Sequence, residues 1–419
     1  MDNYTVKDIS LAEKGFRNIE WAEQEMGALL KVRKEFSSEK PLDGLRVGMA
    51  LHITKETAVL VETLRAGGAD VAICSCNPLS TQDDAAAALA EKGVKVYGFK
   101  GESIDEYYTF LRNVISIQPH ITIDDGCDLV SEIHTNYPDM IDGIIGGCEE
   151  TTTGIIRLRA MEQDNALKYP IVAVNDNMTK HLMDNYYGTG QSTMDGILRA
   201  SNILIAGKKV VVAGYGSCGK GVSMRARGLG ANVIVTEVDP FRALQAVMDG
   251  FRVMKMVDAA NEGDIFITVT GDKHVLNEDV FARMKSGAIC ANAGHFDNEI
   301  DMEYCSREAE SVTRMRDSIF DKYEFKDGKT LFIAGEGRLV NLACAEGHPS
   351  QVMSLSFCGQ ALAVRYLVDN RDALENRVIT LPEEIDSRIA SLQIEALGIE
   401  IDTLTQEQRK YLSSWSEGT

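Results

Sequence analysis

The sequence has little positive charge for its length. Its 419 residues include 43 lysines and arginines against 63 aspartates and glutamates, a formal net charge of −20. Such an excess of negative charge opposes binding to nucleic acid or to an anionic membrane, because both are themselves acidic. We therefore expect a small-molecule substrate and no nucleic-acid partner.

Long apolar runs are also missing. No stretch of about 18 apolar residues, the length that crosses a bilayer, occurs in the sequence. The first residues, MDNYTVKDISLAEKG, contain neither the basic nor the apolar segment of a secretion signal. We therefore expect no membrane partner and a cytoplasmic location.

The cysteines do not form an even, regularly spaced set. There are 9 of them, scattered along the chain, which predicts reduced thiols rather than a disulfide framework. Cys74 and Cys76 alternate on a strand-like run and could share one face as half of a metal site. No second pair with zinc spacing follows, so we predict buried structural thiols and no metal.

What the sequence does contain is a regular alternation of strand-like and helix-like segments. Between Leu45 and Asp176, runs such as LRVGMALHI, HITIDD, IDGIIGG and YPIVAVN alternate with segments of helical periodicity. A second series starts at Lys208 with KKVVVAGYG, ANVIVTEVD and GAICANAG. This pattern predicts an α/β fold of two doubly wound parallel-sheet domains, followed by a long apolar helix and a helical C-terminal tail.

The segment AGYGSCGKG contains a G-x-G-x-x-G pattern formed by Gly214, Gly216 and Gly219. It follows an apolar strand and opens a helix, the context of a dinucleotide-binding turn whose helix N-terminus faces the pyrophosphate. Glu237 ends the next strand, where its carboxylate can accept hydrogen bonds from ribose hydroxyls and repel a 2′-phosphate. The pattern predicts NAD rather than NADP, although Arg242 favours a phosphate slightly.

Polar residues follow several strands of both predicted sheets. Ligands of parallel α/β sheets bind beyond the carboxyl ends of the strands. The polar residues at these ends are His52, Asp124, Asp125, Glu149, Glu150, Thr151, Thr152, Thr153, Asn175, Asp176, Lys180, Asp184, Asn185, Asn292 and His295. A single aspartate there usually caps a helix, but so many together predict a cleft between the domains lined by lysine, carboxylates and histidines.

One alternative is an NAD-dependent dehydrogenase. The segment from VTGDKHVLNEDVF to NAGHFDNEID resembles the distal half of the NAD domain in D-2-hydroxyacid dehydrogenases. Those enzymes usually carry an arginine that clamps a carboxylate where this chain has His295. That departure argues against a plain 2-hydroxyacid dehydrogenase.

Several longer motifs together resemble the S-adenosylhomocysteine hydrolase family. They are LHITKETAVLVETL, DDGCDL, CEETTTG, NDNMTKHLMDNYYGTGQSTMDGI, GYGSCGKG, NAGHFDNEI and GRLVNLACAEGHPS, and YGTGQST is most similar to the archaeal and thermophilic-bacterial branch. The resemblance implies a substrate domain over 1–184 completed by 346–375, a Rossmann NAD domain over 185–345, and a C-terminal helical tail over 376–419 with oligomer contacts. It also implies hydrolysis of a nucleosidyl homocysteine, bound NAD and a homotetramer.

The resemblance also implies a set of site residues. The catalytic residues are His52, Asp125, Glu150, Lys180, Asp184 and His295. The cofactor-binding residues are Thr151, Thr152, Thr153, Asn185, Gly214, Gly216, Gly219, Glu237, Arg242, Asn292 and Asn341. The substrate-binding residues are His52, Thr54, Glu56, Gln82, Asp125, Glu150, Lys180, Asp184, His295 and His348. A lysine base needs a lowered pKa, which we expect the desolvated cleft to provide.

The resemblance leaves two alternatives for the base of the nucleoside, adenine and hypoxanthine. Adenine presents an amino donor and an N1 acceptor, whereas hypoxanthine presents an O6 acceptor and an N1–H donor. Glu56 and Gln82 can serve either base, and Lys55 can donate to O6 only if it turns inward from its expected solvated position. We expect S-adenosylhomocysteine, with S-inosylhomocysteine as the alternative.

Two further points concern the whole family resemblance. Thr189 stands where many relatives carry a cysteine, so a thiol role near the cofactor cannot be transferred. A regulatory homologue that senses NAD without catalysis is a further alternative, against which the intact set of catalytic residues argues.

Overall fold

The β-branched runs of the sequence form the strands of two eight-stranded sheets. In the computed structural model, which describes residues 3–317 and 319–416, each sheet belongs to its own α/β domain. The central strands are buried along nearly their whole length because helices cover both faces of each sheet. The predicted fold class is confirmed.

The first domain is a fully parallel sheet wrapped by helices. Its strands are β1 (Tyr4–Thr5), β2 (Arg46–Ala50), β3 (Asp70–Cys74), β4 (Lys95–Tyr97), β5 (Ile121–Asp124), β6 (Gly146–Glu149), β7 (Ile171–Ala173) and β16 (Val378–Ile379), in the order β1-β4-β3-β2-β5-β6-β7-β16. Its helices are α1 (Ala12–Glu25), α2 (Gly27–Glu39), α3 (Lys55–Ala66), α4 (Asp83–Glu91), α5 (Ile104–Ile115), α6 (Asp128–Asn136), α7 (Thr152–Gln163), α15 (Ser350–Asp369) and α16 (Glu383–Ala396).

The second domain carries the glycine-rich turn. Its strands are β8 (Lys209–Ala213), β9 (Asn232–Thr236), β10 (Arg252–Val253), β11 (Ile265–Thr268), β12 (Ala288–Asn292), β13 (Ala309–Arg316), β14 (Phe320–Phe325) and β15 (Thr330–Ala334), in the order β10-β9-β8-β11-β12-β15-β14-β13. Its helices are α8 (Thr189–Ser201), α9 (Ser217–Gly228), α10 (Pro240–Met248), α11 (Met256–Ala259), α12 (Glu278–Arg283), α13 (Met302–Glu308) and α14 (Val340–Ala343). A last helix, α17 (Gln406–Leu412), lies near the C-terminus.

Three details differ from the sequence prediction. The run IDGIIGG contributes to a strand only at its end, because Pro138–Gly143 forms a 3-10 helix before β6. Strands β13, β14 and β15 were not predicted; they extend the second sheet at one edge, where β15 pairs parallel with β12 and β14 runs antiparallel to both β15 and β13. Residues 378–396, predicted as part of the C-terminal tail, pack on the first domain: β16 pairs with β7, and Ile389 of α16 is fully buried.

The two domains are joined by a continuous helical crossing. Lys180–Gly188 forms a π-helix that leads directly into α8. The chain returns through the segment between β15 and α15, so both connections pass the space between the domains. Within the described residues, no helix is both long and apolar enough to span a bilayer.

Candidate active site

A cavity of about 820 Å³ lies between the domains, where the carboxyl ends of both sheets face each other. This volume is within the range of small-molecule sites. The predicted site residues on its walls are His52, Thr54, Glu56, Asp125, Glu150, Thr151, Thr152, Thr153, Lys180, Asp184, Asn185, Gly214, Gly216, Glu237, Arg242, His295, Asn341 and His348. The cleft that the strand ends predict is therefore present.

Lys180 is buried at the start of the π-helix. Residues four and five apart share one side of such a wide turn, so both Asp184 and Asn185 face the lysine. The ammonium Nζ lies 3.2 Å from Oδ1 of Asp184 and 2.9 Å from Oδ1 of Asn185. Glu150 approaches from the end of β6, with Oε1 3.8 Å from Nζ. The π-helix thus gathers a cation, carboxylates and an amide at one point of the cavity.

Burial and charge oppose each other in this cluster. Burial favours the neutral lysine, but the carboxylates of Asp184 and Glu150 outweigh it and raise the pKa of Lys180. Burial likewise opposes ionisation of Asp184, yet Lys180 and His348 lower the pKa of that carboxyl far below its usual range. The expectation of a lowered lysine pKa is therefore wrong for this state of the protein. Lys180 can release its proton only when the charge around it changes.

Glu150 is the least acidic carboxyl of the cluster. Burial raises its pKa to about 7, against the opposing charge of Lys180. Two side chains of α15 donate hydrogen bonds to its carboxylate, the Ser356 hydroxyl and the Gln360 amide. Neither was among the predicted site residues. Their only signal was two polar residues four apart in the largely apolar middle of α15, a spacing that places them on one face.

A second cluster joins the domains around Asp125. Nε2 of His52 lies 3.4 Å from Oδ2 of Asp125, and Nδ1 of His295 lies 3.5 Å from Oδ1. Burial lowers the pKa of His52 to about 4 against the attraction of Asp125, and the neighbouring His295 lowers it further. His52 is therefore neutral near pH 7. Gly126 has φ +109° and lies against the ring of His295, where any side chain would collide.

A thiol lies behind this second cluster. Cys76 Sγ is 3.2 Å from Nδ1 of His52 and 3.7 Å from Oδ2 of Asp125. Burial raises the pKa of the Cys76 thiol well above its usual value, so it is uncharged. Cys74 is fully buried in the core, as a structural thiol is. One ligand atom from each of His52, Cys76 and Asp125 lies within 4.8 Å of the others, a spacing that one metal ion could use, and the absence of a metal stays a prediction.

A buried carboxyl pair supports the loops above it. Asp124 and Glu149 are neighbours across β5 and β6. Glu149 Oε1 accepts hydrogen bonds from the backbone N–H of Gly126 at 2.8 Å and of Thr151 at 3.0 Å. Burial raises the pKa of Asp124 to about 7 and that of Glu149 well above its usual value. The pair therefore retains a proton near pH 7 and anchors both the Asp125 loop and the threonine loop.

The glycine-rich turn has the geometry that a pyrophosphate requires. Gly214 has φ +100°, and a side chain there would lie 2.9 Å from the carbonyl oxygen of Val269. A side chain on Gly219 would collide with the carbonyl group of Gly214, so α9 packs closely on the turn. Gly216 faces open space, with Nη1 of Arg242 3.7 Å from where its Cβ would be. The N-terminus of α9 is thus free to receive a phosphate.

The remaining groups also fit a nicotinamide dinucleotide. The carboxylate of Glu237 is held at the end of β9 by the N–H groups of Tyr215 and Val238, each at 2.7 Å. Asn341 donates to the Ser192 hydroxyl at 3.1 Å, and its Oδ1 is buried without a hydrogen-bond partner among the described residues. A ligand that donates to this oxygen would satisfy it.

Three predicted residues do not line the cavity. Gly219 acts through packing, as described above. Asn292 is fully buried; its amide donates to the carbonyl groups of Phe296 at 2.7 Å and Gly337 at 3.0 Å, so it shapes the His295 loop instead of facing a cofactor. Gln82 accepts from the Lys55 N–H at 2.9 Å and thereby fixes the start of α3.

Lys55 turns inward at the end of the cavity near α3. Its side chain is 12% exposed, and Nζ lies 3.3 Å from Oε1 of Glu56 and 3.1 Å from Oε2 of Glu346. Ser350 donates to the same Oε1 of Glu56 at 2.6 Å. Glu346 was not predicted as a site residue, and it also pairs with Arg199 of α8 at 3.0 Å. Lys55 is therefore paired with two carboxylates that line the cavity instead of being solvated, although it does not line the cavity itself.

His348 connects the returning segment to the lysine cluster. Its Nδ1 lies 3.1 Å from Oδ2 of Asp184, and its Nε2 lies 3.4 Å from the Thr189 hydroxyl. The same hydroxyl lies 3.6 Å from Cys218 Sγ at the start of α9. In this chain the thiol beside the cofactor turn thus comes from Cys218.

Comparison with known proteins gives matches over nearly the whole chain. Two family models match, S-adenosyl-L-homocysteine hydrolase over residues 3–136 and the S-adenosyl-L-homocysteine hydrolase NAD binding domain over residues 185–347. A protein of Methanocaldococcus jannaschii named S-inosyl-L-homocysteine hydrolase is 58% identical over 416 residues, covering 99% of this chain and 100% of its own. Proteins named adenosylhomocysteinase from Sulfolobus acidocaldarius and Aquifex aeolicus are each 54% identical, covering 100% and 99% of this chain and 100% of their own.

Proposed function

We propose, because this chain belongs to the S-adenosyl-L-homocysteine hydrolase family, that it catalyses the reversible hydrolysis of S-adenosyl-L-homocysteine to adenosine and L-homocysteine. The observation that carries the proposal is that the Lys180 cluster and the Asp125 cluster face one cavity together with the dinucleotide turn. The glycine-rich turn, Glu237 and Asn341 would hold NAD, which would supply reversible hydride transfer at C3′ of the ribose without being consumed.

In the proposed mechanism, the Lys180 cluster handles the proton of the ribose 3′-hydroxyl. Asp184 and Asn185 hold the ammonium group in place, and the carboxylate of Glu150 affects the pKa of Lys180 from the other side. A positive charge that enters the cavity beside Lys180 lowers the pKa of Lys180 and helps this lysine to act as a base. General acid–base catalysis of this kind contributes about 10²–10⁴ to the rate.

The Asp125 cluster acts on the other side of the sugar. A carbonyl group at C3′ makes the C4′ proton acidic, and Asp125 is the proposed base for that proton. The neutral imidazole of His52 can accept a proton from the water that adds at C5′, and His295 is the proposed proton donor to the departing thiolate. Because His295 belongs to the second domain, this arrangement exists only when the domains are together.

The proposed activity has a direct test with three separable outcomes. The purified protein is incubated with S-adenosylhomocysteine, and both the release of homocysteine thiol and the reduction of NAD are measured. Thiol release without net NAD reduction supports the hydrolase. Stoichiometric NAD reduction would instead support a dehydrogenase, and bound NAD with no turnover would support the sensing homologue.

A second candidate substrate, S-inosyl-L-homocysteine, is favoured by the inward position of Lys55. An ammonium beside Glu56 supplies a donor and an acceptor, the complement of the O6 and N1–H of hypoxanthine. Adenine presents a donor and an acceptor in exchanged positions, so an ammonium and a carboxylate held in fixed places would not pair with both bases in the same pose. Unpaired buried groups can cost a factor of about 10⁴, so the preference should be large.

The two substrates are distinguished by their kcat/KM values, measured for the wild type and for Lys55→Val. A preference for the inosyl thioether that falls in Lys55→Val would support the second candidate. Equal kcat/KM values for both substrates in the wild type would mean that paired polar groups do not recognise the polar edge of the base.

The assembly and location that the family resemblance implies are a cytoplasmic homotetramer. Large apolar side chains stay exposed on α10 and in the C-terminal tail, including Phe241 at 83% and Trp415 at 97%, and these supply surface for subunit contacts. The 9 cysteines are free thiols, which supports a reducing compartment. Light scattering at micromolar concentration tests the assembly, and a monomer would contradict it.

A further inference from the structure

His181 is a cavity residue for which the proposed mechanism has no use. It follows Lys180 in the π-helix, and its Nε2 lies 2.8 Å from the hydroxyl of Ser217, the first residue of α9. His181 therefore reaches from the helix that carries the catalytic lysine to the turn that receives the pyrophosphate. It was not among the predicted site residues.

The backbone keeps His181 close to the turn. A side chain on Gly221 of α9 would collide with the carbonyl group of Tyr186, and one on Gly190 of α8 would lie 2.7 Å from the backbone of Gly221. The π-helix and α9 are thus in direct backbone contact. This contact holds Ser217 within hydrogen-bonding reach of the imidazole.

The charges around His181 suit an anionic group. Lys220 and Arg242 line the same part of the cavity. Burial, together with the charges of Lys180, Lys220 and Arg242, lowers the pKa of His181, and Asp176 opposes them. An anion entering here would offset these positive charges and favour the protonated imidazole.

We propose that His181 binds the pyrophosphate of the dinucleotide, directly or through the Ser217 hydroxyl, so that the catalytic helix itself retains the cofactor. This inference depends on the proposed function only for the presence of NAD. The protonated imidazole donates a hydrogen bond to a phosphate oxygen, and bonds of this charged type are about twice as strong as neutral ones. Closing the domains would then tighten NAD, and opening them would loosen it.

The test is the dissociation rate of NAD from the holoenzyme, measured by exchange with labelled NAD. We expect His181→Ala to release NAD about tenfold faster, the effect of losing a hydrogen bond to a charged group. His181→Gln keeps a donor for Ser217 but cannot become charged, so it should release NAD at an intermediate rate. Leu182→Ala, at an exposed neighbour on the same helix, is the matched control and should not change the rate.

The pH dependence of NAD affinity provides a second readout for the proposed role of His181. Binding of the anion raises the pKa of His181, so wild-type NAD affinity should fall as the pH rises through that value. His181→Gln removes only the imidazole and leaves the neighbouring Lys180, Lys220, Arg242, Asp176 and Glu150 in place, so NAD affinity should fall less steeply with pH in this variant than in the wild type. If His181→Ala released NAD at the wild-type rate, the inference would be overturned while the hydrolase function stood. A wild type that held no NAD would overturn both.

Discussion

At the scale of single residues, the proposed chemistry of the cavity is divided between two clusters of side chains. Lys180 and Asp184 lie in the cluster at the π-helix, whereas His52 belongs to the cluster at Asp125. We expect Lys180→Ala to slow the reduction of bound NAD by adenosine by about 10²–10⁴, because its proton acceptor is lost. His52→Asn should still reduce NAD at a normal rate but release thiol slowly. Equal loss of NAD reduction in both variants would contradict this division of roles.

In the proposed mechanism, Glu150 helps to set the pH at which Lys180 can act. Its charge is one of the two main causes that keep Lys180 protonated. Glu150→Gln removes that charge, so the pKa of Lys180 falls and the midpoint of NAD reduction against pH should move to lower pH. Gln360 can turn its amide to keep the hydrogen bond, since its Oε1 has no partner among the described residues.

A remote carboxyl provides the control for this shift. Burial raises the pKa of Glu102 to about 8, but Glu102 does not line the cavity. Glu102→Gln therefore removes a group that titrates in the same range and should leave the midpoint unchanged. If the midpoint of NAD reduction against pH stayed fixed or rose in Glu150→Gln, Glu150 would not have the proposed effect on Lys180.

At the scale of elements, α16 holds the helix that carries Lys180. Asp386 accepts hydrogen bonds from the backbone N–H of Met178 at 2.6 Å and of Thr179 at 3.2 Å, and from the Thr179 hydroxyl. It therefore caps the segment that begins the π-helix. We expect Asp386→Ala to lower the free energy of unfolding by about 1 kcal/mol and also to slow NAD reduction, because the lysine loses its fixed position.

The cap of α5 is the control for this effect. Ser103 accepts from the N–H of Glu106 and forms a reciprocal capping box far from the cavity. Ser103→Ala should lower the free energy of unfolding by a similar amount, measured by urea denaturation, without changing NAD reduction. If the two variants lost activity to the same extent, Asp386 would have only a structural role.

At the scale of the whole molecule, the domains lie in a closed arrangement. His295 of the second domain contacts Asp125 of the first, and Glu346 of the returning segment links Lys55 to Arg199. Closure excludes water from reactive intermediates. We expect the radius of gyration from solution scattering to fall when a nucleoside binds the NAD form, with the bound state matching this structure. An unchanged profile would mean that the free enzyme is already closed.

The sequence by itself determined the parallel strands of both sheets, the dinucleotide turn and many of the polar residues that line the cavity. These features depend on local signals: β-branched runs, glycines at fixed spacing and polar residues directly after strands. Since carboxyl ends of parallel strands meet at one edge, residues such as His52 and Asp125 could be placed together without coordinates.

Only the tertiary structure decided what surrounds those residues. Ser356 binds Glu150 across 206 positions of sequence, and Lys55 pairs with Glu346 across 291. The ionised state of Lys180 likewise depends on how closely Asp184 and Glu150 approach it in the π-helix, where the sequence had predicted only a desolvated lysine. Charge states and long-range hydrogen bonds depend on distance in space, and the local periodicity of a chain does not contain that distance.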